Sequence, residues 1–61
     1  MELEQLKLGE KYTDTTTGLT GTLTAKCEYL NGTGRAEITS IDKTGRPIEH
    51  WAYVTELKEV Q

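Results

Sequence analysis

The chain has 61 residues, with seven basic and ten acidic side chains and a net charge of −3. A chain this short hides only about 60% of the surface it would expose unfolded. That excludes two lobes with a cleft between them and leaves one small domain. The acidic balance disfavours non-specific DNA or RNA binding, which depends on Lys and Arg neutralising phosphates.

No apolar run approaches the roughly 20 residues that span a bilayer. The start, MELEQLKLGEKY, has no basic leader followed by an apolar run, so no secretion signal is expected. Cys27 is the single cysteine and cannot form an internal disulfide. A reducing cytoplasm suits such a chain. Small domains without bridges or metals lean on self-association, so a homo-oligomer is expected. Eleven threonines, one proline and no phenylalanine predict a small all-β domain. Threonine is stiff at χ1 and fits a pleated strand.

Taken in chain order, residues 1–8 form a short N-terminal arm with Leu3 and Leu6 at helical spacing. Two readings stand: a fraying arm with one or two leucines laid over a barrel end, or a subunit contact. Residues 9–61 form the domain proper. Lys11 to Asp14 predicts a first strand. Asp14 to Gly18 then predicts a turn in which Asp and Thr side chains bond nearby backbone and Gly18 takes positive φ. From Leu19 to Tyr29 a period of two runs over eleven residues, a good strand signal. It sets Leu19, Gly21, Leu23, Ala25, Cys27 and Tyr29 on one face. Gly21 predicts a bend that lets this strand serve two sides of a barrel.

Asn31-Gly32 is a strong hairpin signal, followed by a strand over Arg35 to Ile41. Asp42 to Pro47 reads as a turn. Ile48 to Val54 predicts the fourth strand, with its facing open between Ile48/His50/Ala52/Val54 and Trp51/Tyr53. Thr55-Glu56 predicts a single 3₁₀ turn, and Leu57 to Val60 the last strand. Five short strands with a bent second strand and this late turn predict an all-β, five-stranded SH3-like barrel, the alternative being an OB-like barrel, which usually carries a helix and runs longer. Trp51 is expected in its core by size alone.

The chemistry-bearing residues are few. His50 and Cys27 are the only candidates for a Cys–His dyad, and Cys27 on the apolar face reads as a small buried hydrophobe. Two potential zinc ligands fall short of the four a structural site needs. No phosphate-binding glycine loop is present. No catalytic residue, metal or cofactor is therefore expected, and the chain reads as a non-enzyme. Recognition remains. Lys26 and Arg35 flank one hairpin beside Tyr29 and Asn31. An Arg next to a stacking ring suits a phosphate with a base attached. A solvated hairpin face accounts for the same residues without a ligand.

The segment Tyr12-Thr13-Asp14, Thr17-Gly18-Leu19-Thr20-Gly21 and Glu28-Tyr29-Leu30-Asn31-Gly32 resembles a family of small proteins encoded by tailed bacteriophages and prophages. The turn Asp42 to Pro47, Trp51 and Leu57-Lys58-Glu59-Val60 extend the resemblance over most of the chain. Thr33 stands where many members carry Cys, and Ala52-Tyr53 where many carry Phe and Asp. The resemblance implies a phage origin, an SH3-like fold and action in the host cytoplasm.

By analogy with other tiny phage proteins, it also implies an anti-defence role: sequestering a small nucleotide immune signal as an oligomer. Lys26, Tyr29, Asn31 and Arg35 would hold that ligand, with Arg46 or His50 from a neighbouring subunit. The alternatives are an adaptor that inhibits a host defence protein directly, a KOW-like nucleic-acid module and a structural virion role.

Overall fold

The computed structural model describes residues 2–60. Met1 and Gln61, the outer ends of the expected arm and domain, lie outside the described residues. The strands are β1 (Lys11–Asp14), β2 (Thr20–Glu28), β3 (Gly34–Ile41), β4 (Pro47–Tyr53) and β5 (Leu57–Glu59). They form one antiparallel sheet in the order β4-β3-β2-β1-β5. A 3₁₀ turn, η1 (Leu3–Gln5), lies in the arm, and a second, η2 (Val54–Glu56), joins β4 to β5. The chain is all-β, with both features expected of an SH3-like barrel: a bent second strand and a 3₁₀ turn before the last. The sheet's two edges, β4 and β5, are linked by η2 rather than by a ladder. No helix among the described residues is long and apolar enough to cross a membrane.

Strand β2 serves both sides of the sheet, as its length predicts. Residues 20–22 pair with β1, and residues 22–28 pair with β3. Gly21 lies where the two ladders meet. A Cβ at this position would sit 2.6 Å from the backbone oxygen of Thr39. Only glycine lets the two backbones approach so closely. At the other end of β1, Asp14 Oδ1 accepts a bond from Thr16 N at 2.8 Å, and Gly18, at φ +81°, donates to Asp14 O.

The two-residue period of β2 breaks at one point. Leu23 pairs with Ile38 but Ala25 pairs with Glu37, so Thr24 is an extra residue, a β-bulge. Beyond it every side chain changes face. Leu23 stays in the core, while Ala25 and Cys27 turn outward and Lys26 turns inward. The expectation of a buried Cys27 is thereby corrected: it is half-buried and faces out.

The core comprises Leu6, Tyr12, Leu23, Ala36, Ile38, Ala52, Val54 and Leu57. Trp51 is not in it, which corrects the expectation drawn from size. Ala36 pairs with Ala52 and Ile38 with His50, so the even positions of β4 face inward and Trp51 faces out. Tyr12 is the core aromatic instead, with its hydroxyl accepting a bond from Lys7 N at 2.9 Å. The arm packs on the same cluster. Leu6 is buried, Leu3 lies against it, and Lys26 Nζ donates to Leu6 O at 3.0 Å. Burying one leucine stabilises by about 1.5–3 kcal/mol, so the arm contributes to the core. The expectation of a fraying arm is thereby corrected: Leu6 is buried in the chain's own core, with Leu3 packed against that cluster.

Candidate functional site

The six candidate residues do not converge within one chain. Lys26 and Arg35 occupy opposite faces, because Lys26 pairs with inward Ala36 while Arg35 pairs with Cys27. The bulge at Thr24 decides this. Lys26 is occupied with the arm. Asn31 holds its own hairpin: Oδ1 accepts from Thr33 N at 3.0 Å and from the Thr33 hydroxyl. Tyr29 is exposed at the same tip, beside a fully exposed Leu30. Arg46 lies in the β3–β4 turn, at the far end of β3 from the Asn31 hairpin. There Arg46 N donates to Asp42 Oδ1 at 2.9 Å. Bonds from Thr44 and Arg46 hold the Asp42 carboxyl below its usual range.

His50 faces inward and meets Asp14, with Nε2 and Oδ2 2.6 Å apart. The pair links the core-facing side of β4 to β1, two strands that share no ladder. Asp14 is almost wholly buried, at 2% exposure. The bond from His50 holds its carboxyl below the ordinary range, followed by backbone bonds from Thr16 and Thr17; burial opposes them without prevailing. In so small a protein, bulk water lies close to every buried group, which limits that opposition. The pair ties together two strands that are not neighbours in the sheet. Cys27 lies on the other face of the sheet from His50, so the thiol and imidazole form no dyad. Among the described residues, no group of three His, Cys, Asp or Glu side chains is placed to hold a metal.

The outward face of β3 and β4 carries a different constellation. Arg35 pairs with Tyr53, and Glu37 with Trp51. The Arg35 guanidinium carbon lies 5.8 Å from the Trp51 ring centre and 5.5 Å from that of Tyr53. Both distances are within cation–π range. Its Nε is buried without a hydrogen-bond partner, so the rings and packing, not a carboxylate, hold the head group. Trp51 is 41% exposed and Tyr53 50%.

Next along this face stand Glu37 and Glu49, diagonal neighbours on adjacent strands. Thr24 Oγ1 donates to Glu37 Oε1 at 2.8 Å. A hydrogen bond with Glu37, and then repulsion from its like charge, raise the Glu49 carboxyl above its usual value. The face therefore holds one cation, two rings and a crowded carboxylate pair. No family model, curated protein or solved structure matches the chain.

Of these residues only Arg35 was legible as a site from sequence. The signal for the rest was present in the alternation Glu49-x-Trp51-x-Tyr53, with Pro47 opening the strand. A proline at a strand's first residue is compatible with an edge. What the sequence lacked was the choice between the two facings of β4.

Proposed function

We propose that the chain is a non-enzymatic, phage-type binding module that engages a protein partner through the outer face of β3 and β4. The observation that carries this reading is the exposure of Trp51 and Tyr53 around the fixed Arg35 guanidinium. Trp, Tyr and Arg are the side chains that dominate binding energy at protein interfaces. A guanidinium already held between rings loses little further freedom on binding, which lowers the entropic cost of association. Rings this open to solvent suit a protein surface better than a small molecule, which needs enclosure. Within the phage reading, the partner is a protein of host defence that the module blocks by occupying it.

The test is affinity capture from bacterial host lysate with the wild-type chain, W51A and R35A in parallel. One stoichiometric protein retained by the wild type and lost from both variants is the expected result. Equal retention by all three refutes the reading.

One observation favours sequestration of a nucleotide signal as the second reading: an Arg beside two rings can meet a phosphate while a base stacks. Glu37 and Glu49 beside it oppose an anion. A nucleotide found by mass spectrometry in protein purified from host cells, and absent from R35A, would make this reading the correct one.

A further inference from the structure

We infer that the partner enters as an extended segment added to the free edge of β4, with a Lys or Arg side chain set beside Glu37 and Glu49. This rests on the reading above, that the outer face of β3 and β4 is the working surface. It goes further in naming the partner's conformation and charge.

β4 ends the sheet and its seven residues form the longer of the two edges; β5 has three. Its ladder runs to β3, and none of the turn and loop backbone bonds among the described residues involves residues 47–53. An edge strand presents a row of unpaired N–H and C=O groups, which is the template that strand addition uses. Edge charge and an initial proline also guard against aggregation. Glu49 and Pro47 serve that end without excluding a chosen strand.

Charge then selects the occupant. On the outer face, Arg35 contributes one positive charge against the carboxylates of Glu37 and Glu49, and the whole chain carries −3. A second copy would bring the same negative excess to the interface. A nucleic acid would add phosphates to it. A basic segment relieves the repulsion between the two carboxylates and meets opposite charge. Side chains of an added strand alternate with the pleat. A residue beside Glu49 therefore shares its face with one two positions away, beside Trp51. The segment expected is a Lys or Arg two residues from an aromatic or branched apolar side chain.

The probe is a displayed library of random linear peptides, selected on the full chain. The spacing just described should be enriched. Exposed ion pairs are individually weak, so E37Q/E49Q, which removes two carboxylates, should bind a selected peptide about 2- to 30-fold more weakly by fluorescence polarisation. Methylating the peptide's edge-facing backbone nitrogens should abolish binding, and W51A should lose it as well. Circular dichroism of each variant checks that the sheet is retained.

Binding that is lost in W51A but unchanged in E37Q/E49Q, or that tolerates N-methylation, overturns the inference and leaves the outer face as the working surface. Enrichment of acidic peptides does the same. So does a dimer in sedimentation that W51A dissolves, since it makes a second copy the occupant. Peptides indifferent to both W51A and R35A, or no enrichment at all, overturn the inference; equal retention of a host protein by the wild type, W51A and R35A is what overturns the proposed function.

Discussion

Replacing Asp14 tests whether its bond to His50 across the sheet stabilises this domain. Its carboxylate meets His50 Nε2 at 2.6 Å through one oxygen and accepts from Thr16 N at 2.8 Å through the other. Hydrogen bonds to a charged group contribute about 1.5–3 kcal/mol each. In D14A both are lost, but the Thr16 amide and the half-buried His50 ring recover part of the loss by bonding water. The net cost is on the order of 2–4 kcal/mol. A domain of this length has a total stability of about 3–9 kcal/mol, so the loss is a large share. Each kcal/mol moves the melting temperature by about 4–8 °C at this size, so D14A should melt on the order of 10–25 °C lower.

D14N keeps an acceptor for Thr16 and should cost about half as much. The acid dependence has a definite sign. The folded-state pKa of Asp14 lies below its ordinary 3.8. The stability it contributes is therefore complete above that value and is lost as pH falls through the lower, folded-state one. D14N should flatten the acid limb of a stability profile. Thermal melts followed by circular dichroism from neutral to acid pH check all three points. A D14A melt within about 4 °C of wild type, or an acid limb unchanged in D14N, would refute the reasoning.

Three further outcomes follow from the packing. G21A places a methyl 2.6 Å from Thr39 O and should lower stability by about 1–3 kcal/mol, read as a reduced urea midpoint. L6A empties a buried position under the Lys26–Leu6 bond and should cost about 2–5 kcal/mol. Deleting the arm should be comparably harmful, and an arm deletion that melts like wild type would contradict its place in the core. Trp51, at 41% exposure, should fluoresce at the long-wavelength end of the protein range and be readily quenched by iodide. W51A should cost no more than about 1 kcal/mol in stability, and a large loss would place the ring in the core after all.

Much of the fold was legible because local chemistry and tertiary context agree. Asp14 to Gly18 and Asn31-Gly32 are turns held by their own side chains, so short-range sequence is enough to place them. Gly21 stood out as the lone interruption in an apolar face, and its reason is a contact with Thr39. The site was less legible. Lys26 and Arg35 flank one hairpin in sequence, yet the bulge at Thr24 puts them on opposite sides of the sheet. A period-two reading has no term for an extra residue, so it buried Cys27 and paired the wrong cations. The Asp14–His50 bond spans 36 residues, and no local pattern announces it.

Composition and turn chemistry by themselves determined that this is one small β domain, with its strands and 3₁₀ turn placed within a residue or two. They also showed how few reactive groups it has, since residue types and short-range hydrogen bonding are written directly in the chain. Only the tertiary structure decided which way β4 faces. Ala36 and Ile38 on β3 are the strand's neighbours, and pairing with them turns Ala52 inward and sends Trp51 to the surface. Both facings of an amphipathic strand satisfy its own backbone equally. The adjacent strand breaks that symmetry, and with it the location of the working surface.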